Sequence, residues 1–169
     1  NEHLKEEIGA NTRCYSVQPT LGDLRNVTQY ASPQPELIVC AGDTLSHLKN
    51  WEEIEEFIAD CASILPPLGK LYLSFRDYSF EPDGNTQTIE VRSTPGRTLT
   101  CELEYEPERV KVTDVVNEMQ TDHTWVQSVS SYYKVRLTTE RVLDICDASG
   151  FLVLNHETVN GMEHLLLLK

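Results

Sequence analysis

Apolar residues recur along this chain in two rhythms, and the rhythm changes twice. Residues 1–8 read as the end of a helix, with Leu4 and Ile8 on one face and Gly9 as a stop. Residues 12–17 are of strand type, and Leu21-Gly22-Asp23-Leu24-Arg25 follows as a turn. Glu36-Leu37-Ile38-Val39-Cys40-Ala41 is a compact run, apolar on both faces as a buried parallel strand is. Trp51, Ile54, Phe57, Ile58, Cys61 and Leu65 then recur at helical spacing. Asn50 is a natural N-cap, and Glu53, three residues on, resembles a capping box. Pro66-Pro67 ends that helix, because proline lacks the amide donor and clashes with the preceding turn. Residues 70–75 form the next strand, which stops at Arg76-Asp77.

From Thr86 to Arg136 the period falls to two. Residues 88–92, 99–105, 110–116 and 126–135 alternate apolar and polar positions and are separated by turns such as Thr94-Pro95-Gly96-Arg97. This predicts an antiparallel meander. Helical spacing returns after Thr138 or Thr139 with Val142, Leu143, Ile145 and Cys146, and Gly150 terminates the helix. Residues 151–154 and 164–168 are the last strands. The gap between them is too short for a crossover helix, so they are expected to be antiparallel neighbours.

Strand, helix, strand, helix, strand argues for an α/β fold with a parallel sheet covered by helices. No linker flanks the meander, so residues 1–169 are read as a single domain. Its parts are a core over 1–77, an inserted antiparallel β-meander over 84–136, and a core helix and terminal hairpin over 137–169. Such sheets bind ligands beyond the carboxyl ends of their strands. Gly42-Asp43-Thr44-Leu45-Ser46-His47 and Arg76-Asp77-Tyr78 occupy that position.

Composition narrows the partners. The net charge of −13 argues against a nucleic-acid surface and against anionic membranes. It points to a small-molecule or protein partner. Uninterrupted apolar runs such as residues 37–41 and 165–168 are far too short to span a bilayer. Five cysteines with no CxxC and no Cys/His cluster favour a reducing, cytoplasmic setting. His3, His47, His123, His156 and His164 are scattered without ligand spacing, so no metal site is expected.

In order and spacing, the segment from Leu21 to Arg25, that from Glu36 to Leu48 (ELIVCAGDTLSHL), and Leu65-Pro66-Pro67-Leu68-Gly69-Lys70-Leu71-Tyr72-Leu73 resemble successive core segments of the class I S-adenosylmethionine-dependent methyltransferases. Asp147-Ala148-Ser149-Gly150-Phe151 and the reversed terminal hairpin are similar too. The resemblance implies a Rossmann-like methyltransferase sheet with a reversed C-terminal hairpin, lacking its first strands, plus the inserted meander. It implies S-adenosylmethionine as cofactor and methyl transfer to a small-molecule acceptor. The family's glycine-rich loop is absent from this sequence, which also begins without Met, so a fragment of a longer enzyme is expected.

The resemblance also implies roles. Asp23 matches the residue that accepts a hydrogen bond from the adenine amino group, and Leu24 the one whose amide meets the ring; Asp23 read alone is a turn residue beside Gly22. Ala41 and Gly42 match the loop that passes the methionine part of the cofactor. Asp43, Thr44 and His47 would face the reacting methyl or the substrate, with His47 and Asp43 as the catalytic candidates. His47 read alone is a polar residue at a helix start. Arg76 and Asp77 are substrate contacts in this reading and a surface ion pair in the plainer one. Tyr132 and Tyr133 either pack in the meander or lie over the substrate, where Tyr133 is the contact.

The meander sits where this family often varies for substrate recognition or oligomer contacts, which makes a homodimer one expected assembly. Two other readings stand beside the enzyme. One is a non-catalytic methyltransferase-like interaction module that has lost the cofactor loop. The other is a different nucleotide-binding α/β enzyme, which the antiparallel terminal strand disfavours.

Overall fold

A computed structural model describes residues 19–31, 34–80 and 82–169. The expected first helix and the strand over 12–17 lie outside the described residues. The chain enters through a 3-10 turn, Leu24–Asn26, that runs into the single helical turn α1 (Val27–Tyr30). Strand β1 (Leu37–Cys40), a 3-10 turn (Thr44–His47), helix α2 (Trp51–Ile64) and strand β2 (Lys70–Phe75) follow. The meander is β3 (Thr86–Thr94), β4 (Arg97–Tyr105), β5 (Arg109–Met119) and β6 (Trp125–Val135). Helix α3 (Thr139–Ala148) and the hairpin β7 (Leu152–Val159) and β8 (Met162–Leu168) close the chain.

The first sheet has the order β1-β2-β8-β7. β1 and β2 are parallel, with Leu37 beside Lys70 and Cys40 beside Leu73. β8 runs antiparallel to both of its neighbours. The registers put Ile38, Cys40, Leu71, Leu73, Leu165 and Leu167 on one face. That face forms one core cluster with Ile54, Phe57, Ile58 and Cys61 of α2 and with Val142, Ile145 and Cys146 of α3. Each of the larger buried side chains contributes about 1.5–3 kcal/mol by leaving water.

The opposite face departs from the sequence expectation. Strand β1 reads as apolar on both sides, yet Leu37 is 51% exposed and Val39 56%, and Leu152 on β7 is 65% exposed. β1 is an edge strand of this sheet among the described residues, so only its Ile38 and Cys40 side meets the helices.

Local signals place α2 where periodicity puts it. The Asn50 side chain accepts from Glu53 N at 3.0 Å, as an N-cap does. The Glu53 carboxylate reaches back one residue further than a capping box requires, to Lys49 N at 3.0 Å. The capping of α3 comes from Thr138 and from outside the helix: Asp77 accepts from both Thr139 N, at 2.8 Å, and Thr139 Oγ1, at 2.5 Å.

The meander is a second antiparallel sheet in the order β3-β4-β5-β6, with a bulge at Val91 on the outer strand. Its strands run longer than the alternating segments suggest, because hairpin pairing extends to each turn, as where Met119 meets Trp125. Only its base is buried. Leu103, Tyr105, Val110 and Val112 join the core cluster, whereas Trp125, Val126 and Val129 near the far hairpin stay exposed.

The burial contrast gives a direct test. Phe57→Ala, at 2% exposure, is expected to lose about 3–5 kcal/mol of stability in denaturant unfolding, and Val39→Thr, at 56%, no more than about 0.5 kcal/mol. Equal losses at the two positions would mean that both faces of the sheet are covered in solution.

Candidate functional site at the carboxyl ends of β1 and β2

The loop after β1 is built on two successive residues of positive φ, Gly42 (74°) and Asp43 (64°). Aspartate tolerates this region better than most side chains, and glycine pays nothing for it. The bend points the Asp43 side chain inward, where it is 6% exposed. Its Oδ1 accepts from Arg76 N at 3.0 Å. Its Oδ2 accepts from Tyr78 Oη at 2.9 Å and from Lys134 Nζ at 2.6 Å. Ser74 completes the join, its hydroxyl accepting from Gly42 N at 2.9 Å and its carbonyl from Asp43 N at 3.1 Å. One carboxylate thus ties the β1 loop, the β2 loop and strand β6 together.

Burial pushes the Tyr78 phenol up, and the charge and hydrogen bond of Asp43 push it further, so the phenol stays protonated and donates. Asp77 is equally engaged. Burial by itself would raise its pKa, but hydrogen bonds from Ser79 and Thr139 outweigh that and hold it below the ordinary carboxylate value.

His47 ends the 3-10 turn that Asp43 begins. Its ring stacks on Tyr132 of β6 with centroids 5.4 Å apart and an interplanar angle of 26°. Burial first, then the Lys134 charge, lower its pKa below the ordinary histidine value, against an opposing pull from Asp43. A neutral imidazole beside an open cavity is a competent proton acceptor.

Two cavities meet at the entry turn. The larger, about 550 Å³, is walled by Gly22, Asp23, Leu24, Val27, Tyr30, Leu37 and Ile38 among others. A Cβ at Gly22 would lie 2.5 Å from the Tyr30 ring, so any other residue there requires that exposed ring to swing away. The smaller, about 310 Å³, is lined by Asp23, Leu24, Arg25, Thr44, His47, Leu48, Lys49 and Glu53. Asp23 and Leu24 line both. Asp23 caps the turn by accepting from Arg25 N at 3.0 Å, and both its oxygens also bond the Arg25 guanidinium, at 2.9 and 2.6 Å. That guanidinium holds the Asp23 pKa down at about 2. Leu24, as the first residue of its turn, presents an amide that the turn itself cannot satisfy.

The sequence candidates therefore divide. Asp23, Leu24, Thr44 and His47 share the smaller cavity. Ala41 and Gly42 are exposed in the loop beside it, and Thr44 Oγ1 donates to Ala41 O at 2.6 Å. Arg76 is exposed, and its backbone is held by Asp43. Asp43 and Asp77 spend their carboxylates on structure. Tyr133 is not brought to this group. It alternates to the other face of β6, where the Arg109 guanidinium lies 4.0 Å from its ring centre, and its neighbour Tyr132 is the one that meets His47. Lys134 was missed by sequence reasoning, since nothing local links it to a loop 91 residues away, and Tyr78, placed in the β2 loop by the sequence, was given no role there.

Among the described residues there is no cluster of three or more His, Cys, Asp or Glu side chains able to hold a metal, and no helix is long and apolar enough to cross a membrane.

Two outcomes follow. Asp43→Asn strands the Lys134 ammonium, whose side chain is 12% exposed, and is expected to cost roughly 3–5 kcal/mol. Adding Lys134→Met should recover part of that loss, and a single-mutant cost below about 1 kcal/mol would show that the pair does not hold the site. For His47, the unfolded chain takes up the proton first as pH falls. Its contribution to stability is therefore full above about pH 6.5 and is lost below it. An NMR titration should place its midpoint below about 6.5, and His47→Gln should flatten the stability slope on that acid side; a midpoint above 6.5 would reverse the sign.

No protein-family model matches the chain, and no curated protein sequence does. Solved structures do. An S-adenosylmethionine-dependent methyltransferase from Clostridium acetobutylicum superposes with a TM-score of 0.78 at 11% identity, covering 99% of this chain and 71% of that one. The CcbJ methyltransferase from Streptomyces caelestis gives 0.80 at 12% identity, covering 98% and 69%. CalS10, an amino pentose methyltransferase from Micromonospora echinaspora with S-adenosylmethionine bound, gives 0.66 at 15%, covering 87% of this chain and 62% of its own. With its parallel β1–β2 pair, reversed β8 and inserted meander, the chain has the fold of the class I S-adenosylmethionine-dependent methyltransferases.

Proposed function

We propose that this chain carries the acceptor-side half of a site for S-adenosylmethionine-dependent methyl transfer to a small molecule. The observation that carries the reading is the shared wall at Asp23 and Leu24. It sets an apolar cavity for an adenine directly beside the cavity that His47 and Thr44 line. The residues suit the group: Leu24, Val27, Leu37 and Ile38 offer apolar contact to a ring, and a carboxylate stands at the rim to accept from an exocyclic amine. The sulfonium supplies an already activated methyl, so the chain has mainly to bind, align and exclude water.

Within this reading Asp23 and Leu24 hold the adenine edge, and Ala41 and Gly42 border the methionine part. Thr44, Arg76 and Tyr132 contact the acceptor. His47 takes the proton that the acceptor nitrogen or oxygen loses. Asp43 and Asp77 are positioning residues that fix the two loops. Two structural neighbours are named as N-methyltransferases, a sugar N-methyltransferase and a glycopeptide N-methyltransferase, which favours an amine nitrogen as the acceptor. The chain spans 60% and 58% of those two proteins, so the activity belongs to the whole enzyme of which these residues form the acceptor side.

A second reading, a methyltransferase-like interaction module without catalysis, draws support from Arg25, which already takes both oxygens of Asp23.

Calorimetric titration with S-adenosylhomocysteine separates the two. The enzyme reading expects saturable binding that Asp23→Ala weakens. It also expects His47→Ala to leave that affinity unchanged while lowering turnover about 10²–10⁴-fold. No binding to a chain that contains all parts of the fold would favour the interaction module.

A further inference from the structure

The meander ends on two edge strands, β3 and β6, and they are built differently. β3 carries Glu90 and Arg92 and interrupts its ladder with the bulge at Val91. Charges and bulges are devices that keep an edge from pairing with another chain. Residues 125–133 of β6 (WVQSVSSYY) have neither a charge nor a proline, and their pairing with β5 runs without a bulge. In a chain of net charge −13 this edge is a neutral strip.

Hydrogen bonds at the two ends of the strand fix which backbone groups face outward. Arg136 N donates to Glu108 O at 3.0 Å, and Gln120 N to Thr124 O at 2.8 Å. Even-numbered residues of β6 therefore direct their N–H and C=O groups to β5. The odd-numbered ones, Trp125, Gln127, Val129, Ser131 and Tyr133, present theirs to the other side. Among the described residues no strand pairs with that side. Residues 125–131 are exposed throughout, and Trp125, Val126, Val129 and Tyr133 are each about half exposed.

We infer that β6 pairs antiparallel with β6 of a second copy of this chain, across a two-fold axis at Val129, joining two four-stranded sheets into one continuous sheet. The strand is self-complementary about that residue. Trp125 falls opposite Tyr133, Val126 opposite Tyr132, Gln127 opposite Ser131 and Ser128 opposite Ser130. Apolar thus meets apolar and polar meets polar, as a two-fold interface between identical strands requires. The residues that present backbone groups outward also meet one another, as an antiparallel ladder needs. Moving the axis to the next outward residue on either side sets Tyr132 opposite Asp122 or Ser130. The pairing supplies about ten backbone hydrogen bonds, the usual complement of a protein interface, and takes no charged side chain of the strip out of water. It also brings Val126 of the second copy beside Tyr132, the ring that stacks on His47. The inference does not rest on the methyl-transfer reading, since it uses only the free edge and its register.

The test is sedimentation velocity of this chain from micromolar to millimolar concentration. A reversible dimer is expected, with the micromolar Kd of a small interface. The copies repel through a net charge of −13 each while the strip is neutral, so added salt should tighten the dimer. Val129→Lys sets two ammonium groups against each other at the axis and should raise the Kd at least tenfold. Its circular dichroism and Tm should stay unchanged, because the position is exposed. Val91→Lys, on the opposite edge, should leave the Kd as it is. In a mixture of isotope-labelled and unlabelled chains, NOEs between copies are expected from the Trp125 ring to the Tyr133 ring. A dimer indifferent to Val129→Lys, a dimer without those NOEs, or a mass that grows past two copies would each overturn the assignment. So would a chain that stays monomeric throughout, which would leave the edge to a segment of another protein.

Discussion

The contact between Asp43 and Lys134 is the point on which the arrangement turns. A carboxylate and an ammonium that are both largely withdrawn from water are costly to bury, and each makes the other tolerable. Asp43 is presented by a left-handed bend, Lys134 by the last stretch of β6, and the two meet only if the meander sits against the end of the first sheet. With the Tyr78 hydroxyl and the Arg76 amide, each carboxylate oxygen has at least one donor, so neither oxygen is left unpaired. The interaction therefore selects a relative placement of two sheets as much as it adds stability.

The candidate site inherits its shape from that placement. His47 lies four residues beyond Asp43 and stacks on Tyr132, two residues before Lys134. The aromatic contact and the ion pair are two rungs of one ladder between the β1 loop and β6. Asp77 performs a similar service on the other side, joining the end of β2 to the first turn of α3. Asp43, one of the two catalytic candidates in the sequence, has both carboxylate oxygens engaged by Arg76, Tyr78 and Lys134, and Asp77, expected as a substrate contact, is engaged by Ser79 and Thr139.

Much of the fold was legible because its signals are local. Asn50 and Pro66 bound α2, helical spacing marks its buried face, and period-two alternation marks the four meander strands. The apolar face of β1 was misread because periodicity reports side-chain character, not whether anything packs against it: Leu37 and Val39 look like core and are exposed. At the site, the loops after β1 and β2 were identified from their position after apolar runs. Tyr133, expected over the substrate, lies away from His47 for a different reason. On a strand it and Tyr132 point to opposite faces, and which face meets the site depends on how the meander docks. The same docking hid Lys134.

The thiols carry a consequence of this layout. Burial pushes Cys61 and Cys146 up to about 12 and Cys40 to about 11, all in the core cluster beneath the first sheet. Cys101, on the meander beside Asp114, is pushed up to about 11. At neutral pH only about one in ten thousand or fewer of these groups is the reactive thiolate, so oxidants and alkylating agents find almost nothing to attack. For the three buried thiols, modification has to wait for the surrounding structure to open. Because Cys40, Cys61 and Cys146 lie in the core between the first sheet and its helices and Cys101 lies on the second sheet, the rate at which each is labelled times the opening of its own layer, and the chain carries its own pair of clocks for how independently its two halves breathe.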